Sequence, residues 1–387
     1  MKYRLISHLT LCALLAAYSS ASADDAGPAQ TATFANGVSS SGWIPFTTST
    51  NLGIYVPVKL NGHEVMASLW GGPSSIVTSF AASIGLAANA SGSVQGVEIQ
   101  AGNLTLHDAA AKPSEMVAPA YAPAIVGYPV PFSLGEDVFN QFAVDIDFVN
   151  HRIAFLDPKT VTKPQGAIEV PIVERGGERV IPIAINGAEP ALFEMELGNV
   201  SGPLLVVPAY AQSHSLLAGR PTSQRLSGPF AETIVTLEHL AFAGVDFSRV
   251  PIAIVPESQV PPAPIAGGVG LPLLSHFRLI IDYSHNRLYA VPNIGAAASA
   301  IPKDRMGMVL AKTATEGNFT VAFVSPKSPA EAAGFAKGDK IALIDGRPFT
   351  AWLIADVVKF QMTDAGTTHT FTMPDGTKRR VTAADFF

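Results

Sequence analysis

Charged residues and cysteine are scarce in this chain. Charged side chains make up 14% of its 387 residues, and the single cysteine is Cys12. We expect Cys12 to be lost with an N-terminal signal segment, and the bulky Leu11 before it disfavours lipidation. A mature chain without cysteine excludes disulfides, a thiol nucleophile and thiolate metal sites. Acidic residues outnumber basic ones by 31 to 25, so nucleic acid is not expected as a partner.

The N-terminus has the features of a secretory signal. Lys2 and Arg4 precede an apolar run over residues 9–17, and Ala21-Ser22-Ala23 supplies the small residues that signal peptidase needs. The alternative, an uncleaved membrane anchor, is disfavoured because the run is shorter than the roughly 20 residues that cross a bilayer. We therefore predict a signal peptide over residues 1–23, a periplasmic or secreted location, and no stable membrane insertion after cleavage.

Short strands that end in glycine turns occur twice. Residues 193–197 alternate apolar side chains with Glu194 and Glu196, the period of a strand with one polar face, and Gly198 ends the pattern. Residues 65–77 repeat this form around Gly71, 127 residues earlier. Each strand therefore delivers one residue to a glycine turn.

A second repeat extends the first. Residues 135–148, GEDVFNQFAVDIDF, match residues 270–283, GLPLLSHFRLIIDY, at an offset of 135. Two copies of one β-rich unit predict a mainly β fold with two lobes related by a pseudo-twofold axis. Asn61-Gly62 and Asn186-Gly187 are expected hairpin turns at equivalent places in the two lobes.

Composition divides the chain into five segments. The Ser-, Thr- and Ala-rich residues after the signal show no sustained period and predict a flexible lead-in, within which Trp43–Phe46 has the composition of a first strand. Proline-containing residues 156–166 separate the lobes. The predicted segments are a signal peptide (1–23), a flexible lead-in (24–50), a first lobe (51–158), a second lobe (159–293) and a C-terminal domain (301–387).

The repeated unit resembles a known family. The strand, glycine turn and apolar segment, followed by a helix ending near Gly85-Leu86, are similar to those of bilobed bacterial aspartyl proteases of the pepsin/retropepsin-like superfamily. The resemblance covers about residues 50–293 and implies two acid-protease-like β-barrel lobes. In that family each glycine turn reads Asp-Thr/Ser-Gly. Here the turns read Leu69-Trp70-Gly71 and Glu196-Leu197-Gly198.

The resemblance implies an aspartic endopeptidase, whereas the altered turns argue against that activity. Aspartic proteases use two carboxylates about 3 Å apart that share one proton. Leu69 cannot titrate, and Trp70 and Leu197 lack the hydroxyls that the family places there. Glu196 is the one catalytic candidate at the turns, and residue 69 supplies no second carboxylate to pair with it. Glu194 lies on the same strand face, roughly 7 Å away, too far to share a proton with it directly.

Other nucleophiles and ligands are weaker candidates. Ser68, Ser74 and Ser75 flank the first turn, but the nearest histidine, His63, belongs to a hairpin turn. His276 and His285 lack metal-binding spacing, so we predict no metal and no cofactor. Asp145 and Asp147 are closely spaced and suggest a paired-carboxylate site. The repeat favours a structural ion pair instead, because Asp147 has a counterpart in Asp282. The expected partners of these two aspartates are Arg152 and Arg287.

The last segment resembles the PDZ domain, with SPAEAAGFAKGDKIALIDG as its central part. Residues 319–324 predict a strand, and residues 325–334 a short capped helix closed by glycine. The resemblance implies that a peptide adds as a β-strand, with backbone amides holding its terminal carboxylate. The predicted peptide-binding residues are Met306, Gly307, Met308, Val309 and Val357. The alternative is a module that only packs on the lobes.

Two functional classes remain. The first is a secreted, non-catalytic pseudoprotease that binds peptide segments or protein C-termini between the lobes and in the PDZ groove. The second is an aspartic-type endopeptidase with a degenerate dyad.

The signal segment makes a direct prediction. Expression with an intact N-terminus should yield a mature chain that begins at Asp24, because cleavage follows Ala23. N-terminal sequencing or intact-mass analysis measures this. Retention of Met1 on a membrane-bound chain would contradict it.

Overall fold

The fold was analysed in a computed structural model, which describes residues 31–48, 53–118, 122, 126–198, 202–227, 230–260, 263–311, 317–352 and 354–387. The predicted signal peptide, residues 1–23, and residues 24–30 of the predicted lead-in lie outside the described residues. Within the described part, no helix has the length and hydropathy needed to cross a membrane.

The first repeat unit contains eleven strands in its described residues, and two short α-helices of it are described from end to end. The strands are β1 (Thr31–Phe34), β2 (Ile44–Pro45), β3 (Thr47–Thr48), β4 (Ile54–Leu60), β5 (His63–Leu69), β6 (Ser75–Val77), β7 (Val94–Ala101), β8 (Leu104–Ser114), β9 (Phe132–Leu134), β10 (Ala143–Asp147) and β11 (Arg152–Leu156). The helices are α1 (Thr78–Ser83) and α2 (Glu136–Gln141).

The second unit has the same plan. Its described strands are β12 (Ile168–Pro171), β13 (Val173–Arg175), β14 (Glu178–Ile185), β15 (Ala191–Glu196), β16 (Leu204–Val206), β17 (Thr222–Ser227), β18 (Phe230–Phe242), β19 (Val245–Ile254), β20 (Gly267–Gly270), β21 (Phe277–Asp282) and β22 (Arg287–Pro292). Its helices are α3 (Pro208–Ser213) and α4 (Leu271–Leu274).

Strand pairing confirms the duplication. In the first unit β9 lies parallel to β5 and antiparallel to β6, which in turn lies parallel to β8. In the second unit β20 lies parallel to β15 and antiparallel to β16, which lies parallel to β19. Both predicted hairpin turns form, with Asn61 and Asn186 in the left-handed region at φ 45° and 51°. The mainly β, two-lobed architecture predicted from the repeat is therefore confirmed.

A six-stranded sheet joins the lobes, in the order β12-β22-β21-β10-β11-β2. Its central strands β10 and β21 are antiparallel, with Val144 opposite Ile281 and Ile146 opposite Leu279. At the repeat offset of 135, each of these residues faces the equivalent of the other. The pseudo-twofold axis thus passes through this strand pair.

The prediction of a flexible lead-in is wrong for residues 31–48. Strand β1 pairs with β8, and β2 pairs with β11, while Ile44 and Phe46 are buried in the core. The proposed strand around Trp43–Phe46 is present as Ile44–Pro45. These strands are two to four residues long, too short to produce a recognisable hydrophobic period.

The C-terminal domain contains two small sheets, β23-β24-β25 and β27-β26-β28-β29. Ser328 caps the short helix α5 by accepting a hydrogen bond from the Glu331 amide at 3.2 Å, as the sequence predicted. A core with edge-to-face aromatic rings around Phe319 and Phe371 is separate from that of the lobes. The elements are β23 (Met308–Ala311), β24 (Phe319–Val324), α5 (Pro329–Ala332), β25 (Lys340–Ile341), β26 (Leu343–Ile344), β27 (Arg347–Pro348), α6 (Ile354–Gln361), β28 (Thr368–Thr372) and β29 (Lys378–Thr382).

Close backbone approach near Gly135 generates a stability prediction. A Cβ on Gly135 would overlap the backbone of Gly72 and Ser74, although its φ of −108° suits any residue. Gly135→Ala should therefore lower the free energy of unfolding by about 1–3 kcal/mol through overpacking alone. Thermal unfolding measures the loss, and Gly317→Ala, where a Cβ meets nothing within 4 Å, is the control. Equal melting temperatures for the two variants would contradict the prediction.

Candidate functional site

The two glycine turns meet between the lobes. A Cβ on Gly198 would overlap the six-membered ring of Trp70, so the indole of the first turn covers the glycine of the second. On the other side, a Cβ on Gly71 would lie 3.7 Å from the Met195 carbonyl oxygen. The repeat thus brings together the two turns that the sequence singled out.

The positions flanking the turns are mostly apolar and buried. Leu69 is 2% exposed and Leu197 1%, and both belong to the lobe core, whereas Trp70 is 40% exposed. Glu196 is partly buried, and its carboxylate occupies the space that a Cβ on Gly268 would need. The turns therefore bring together one carboxylate, an exposed indole and two buried leucines.

A pair of carboxyl groups lies close to Glu196 on the second lobe. Glu194 is hydrogen-bonded to Glu178, which projects from the neighbouring strand β14. Burial, and then the negative charges of Glu196 and Glu178, raise the pKa of Glu194 to about 9. Glu194 is therefore protonated at neutral pH and donates to Glu178. Sequence reasoning missed Glu178 because cross-strand register was needed to place it.

Arg179 links this acidic region to the first lobe. Its Nε lies 3.7 Å from Glu136 Oε1, and its Nη1 donates to Glu174 Oε2 at 3.2 Å. Burial raises the pKa of Glu136, and the positive charge of Arg179 opposes that rise. The Arg179 guanidinium carbon lies 5.2 Å from the ring centroid of Tyr283. Burial raises the pKa of Tyr283 as well. One arginine thus offsets the charge of carboxylates from both lobes.

The serines near the first turn have structural partners. Ser74 Oγ accepts from the Gly135 amide at 2.9 Å, and Ser68 Oγ donates to the Val117 carbonyl at 3.2 Å. Ser75 Oγ donates to the Pro73 carbonyl. His63 begins β5, at the opposite end of the strand from the turn, and its ring meets an aromatic side chain instead of a serine. These contacts do not form a Ser/His pair.

The closely spaced aspartates form structural ion pairs, as the repeat predicted. Arg152 Nε donates to Asp147 Oδ2 at 2.9 Å, and Arg287 Nε donates to the equivalent Asp282 at 3.0 Å. Asp145 receives two bonds, at 2.9 and 2.6 Å, from Arg278 of the other lobe.

The two histidines considered as ligands have other contacts. The His276 ring packs edge-on against Phe247, and burial lowers its pKa. His285 Nδ1 lies 2.8 Å from Asp282 Oδ2. In the part of the chain that the structure describes, no cluster of three His, Cys, Asp or Glu side chains is arranged to hold a metal ion.

The predicted PDZ ligand loop is already engaged. The amides of Met306 and Gly307 both donate to Asp304 Oδ1 at 2.8 Å. The Met308 side chain is fully buried, and its carbonyl accepts from Gln361 Nε2 at 2.6 Å. Sequence reasoning missed Asp304, although an aspartate two residues before paired amides is a common turn-forming arrangement.

The two side chains predicted to receive the last ligand residue differ in accessibility. Val309 lies partly exposed on β23, an edge strand of its sheet. Val357 on α6 is 6% exposed and packs in the domain core. An apolar ligand side chain would therefore have to displace part of that core to reach Val357.

Two surface hollows lie away from the glycine turns. They have volumes of about 490 and 470 Å³ and share Tyr128 in their linings. Neither includes a residue of the two turns, so hollow size alone does not identify the predicted site.

Comparisons with known proteins identify one domain. Residues 298–368 match the family model of the PDZ domain, so the C-terminal part of the chain is a PDZ domain. A comparison with curated proteins finds no match. Among solved structures, the chain is similar to the aspartic proteinase from Irpex lacteus, with 11% identity, a TM-score of 0.41, and coverage of 66% of this chain and 98% of that one.

The raised pKa of Glu194 predicts a pH-dependent stability. The folded state holds a proton up to about pH 9, whereas an ordinary glutamate releases it near 4.5. Stability contributed by this group is therefore fully present below about pH 4.5 and is lost as the pH rises toward 9. Glu194→Gln retains a donor to Glu178 without titrating, so we expect a higher melting temperature than wild type at pH 8.

Thermal melts at pH 4.5 and 8 measure this difference. The two proteins should differ by several degrees at pH 8 and little at pH 4.5, and the exposed Glu189→Gln serves as the control. A Glu194→Gln variant that is less stable than wild type at pH 8 would contradict the assigned protonation.

Proposed function

We propose that this chain is a secreted or periplasmic, aspartic-protease-like pseudoenzyme that binds peptide segments or protein C-termini without hydrolysing them. The observation that carries the proposal is the first glycine turn. Leu69 is buried in the core where a dyad carboxylate would be required, and Trp70 lies over Gly198. Signal cleavage at Ala23 and a degenerate origin of both turn motifs belong to the same proposal.

The electrostatics of the second lobe support a non-catalytic role. A dyad works because two carboxyl groups of different pKa face one water, so that one accepts a proton while the other donates. Glu194 does donate a hydrogen bond to Glu178, but the two project from adjacent strands of one lobe. No carboxylate of the first turn faces them, because residue 69 is leucine.

The exposed indole supports peptide binding at the junction of the lobes. Trp70 offers a large apolar surface with one hydrogen-bond donor, a combination common among residues that dominate binding energies. The PDZ domain adds an edge strand, β23, to which a peptide could pair. Both features recognise an extended chain through backbone and apolar contacts without bond cleavage.

The alternative is an aspartic-type endopeptidase with a degenerate dyad. One observation favours it, namely a protonated Glu194 beside the Glu196 carboxylate on the same strand. Glu194 would act as the acid and Glu196 as the base, so that both catalytic groups would come from the second lobe and residue 69 would not be needed.

Cleavage of an unfolded protein separates the two functions. Wild-type chain incubated with casein at pH 4 and pH 7 should leave the casein masses unchanged, while casein co-elutes with the chain on gel filtration. Trp70→Ala should weaken co-elution by roughly 5- to 30-fold, the effect of losing about 1–2 kcal/mol. The exposed Trp43→Ala is the control, since Trp43 lies away from the turns against Arg152.

Restoring activity should require several changes. Leu69→Asp with Glu196→Asp is expected to remain poorly active until Trp70→Thr and Leu197→Thr supply the missing hydroxyls, because the indole still covers Gly198. Acid cleavage of casein by the wild type that is lost in Glu196→Gln would overturn the pseudoenzyme proposal in favour of the alternative.

A further inference from the structure

The amide pair of the PDZ ligand loop has a carboxylate of this chain as its partner. Asp304 Oδ1 accepts from the Met306 and Gly307 amides at 2.8 Å each. Successive amides that converge on one oxygen form the kind of concavity that holds a ligand's terminal carboxylate. Asp304 therefore supplies the charge and the hydrogen-bond acceptor that a peptide end would otherwise bring.

The same loop is covered by the last residues of the chain. The Ala384 amide donates to the Arg305 carbonyl at 3.1 Å. This hydrogen bond places residues 384–387 beside the loop. A Cβ on Gly307 would come within 3.2 Å of the Phe386 ring. A peptide entering the loop would therefore meet Phe386 as well as Asp304.

Residues 384–387 also bind the second lobe. Phe387 packs with Ile234 and Ala253, and its main-chain oxygen accepts from Thr236 Oγ1 at 2.9 Å. The buried Lys303 donates to the same oxygen at 2.8 Å, with its ammonium 4.4 Å from the Phe387 ring centroid. This segment, residues 384–387, is therefore a strap that contacts both the PDZ loop and the lobe.

Asp385 is the electrostatic centre of the strap. Its carboxylate meets Arg249 of the second lobe at 2.5 Å, Arg305 of the PDZ loop at 2.9 Å and Lys303 at 3.5 Å. The Arg249 pair is largely exposed and adds little, whereas Lys303 is 5% exposed. Loss of Asp385 would remove the carboxylate that faces the buried Lys303 ammonium, which is unfavourable.

The second lobe approaches the loop directly as well. Ser223 Oγ on β17 donates a short hydrogen bond to the Pro326 carbonyl, between β24 and α5. Arg225, two residues further along the same strand, exerts a favourable electrostatic interaction on Asp304. The face of the PDZ domain that carries the amide pair is thus the face that packs on the lobe.

We propose that the PDZ domain is held in a self-occupied, closed state, in which Asp304 takes the place of a ligand carboxylate and the strap and β17 cover the loop. The occupant that it excludes is a peptide with a free terminal carboxylate after an apolar residue. The proposal rests on the peptide binding assigned to this domain above, and adds that release of the loop controls it.

Peptide binding to the full chain tests the closed state. The probe is a fluorescein-labelled pool of decapeptides with mixed upstream residues that all end in valine, with either a free carboxylate or an amide. Wild type should bind both pools equally weakly. Asp304→Ala frees the amides and should bind the free-acid pool at least tenfold more tightly, with the gain lost on amidation.

Two matched variants sharpen the result. Asp304→Asn keeps an oxygen acceptor for the amides and should stay close to wild type, and the exposed Asp364→Ala of the same domain should not change binding. Hydrogen exchange of the Met306 and Gly307 amides should accelerate at least tenfold in Asp304→Ala, while β28 and β29 stay protected. That protection shows that the variant is folded.

The outcomes distinguish this inference from the proposed function. If wild type binds the free-acid pool more tightly than the amide pool, and as tightly as Asp304→Ala does, peptide capture stands and the closed state is overturned. If the amides are freed in a folded Asp304→Ala and neither pool binds, both the closed state and peptide capture by this domain are overturned.

Discussion

The antiparallel pairing of β10 with β21 is the constraint on which the rest of the structure depends. It places the pseudo-twofold axis between Val144–Ile146 and Leu279–Ile281, and the Asp145–Arg278 ion pair crosses the same junction. Because both lobes are built on one axis, their glycine turns must come face to face. The contact of Trp70 with Gly198 is a consequence of that symmetry.

Close packing fixes glycine near the two turns. Gly135 and Gly198 lie where neighbouring backbone and the Trp70 indole, respectively, leave no room for a Cβ. Backbone packing therefore requires glycine at 135, and the indole requires it at 198. The carboxylates of this region lie in a cluster on the second lobe, in which burial and like charge raise the pKa of Glu194 to about 9.

Coupling between the second lobe and the PDZ domain combines a few polar contacts with one apolar contact. Lys303, Arg305 and Arg249 converge on Asp385, and Phe387 fills an apolar site on the second lobe. Lys303, Arg305 and the strap therefore act together. They orient the PDZ domain so that the loop of Met306 and Gly307 faces the second lobe. The sequence predicted a peptide-binding PDZ domain, and the structure shows that this domain packs against the second lobe.

The sequence by itself determined the elements that rest on local rules and on repetition. Glycine at turns, period-2 alternation and the 135-residue offset were sufficient for two β lobes, the Asn-Gly hairpins, the capped helix α5 and the structural role of Asp147. Tertiary structure alone decided which side chains meet across strands and domains. Glu178 finds Glu194 through strand register, Arg179 reaches Glu136 from another lobe, and Phe386 reaches Gly307 after a long excursion of the chain. Each of these contacts depends on strand register and domain packing along the whole chain, so no short stretch of sequence encodes it.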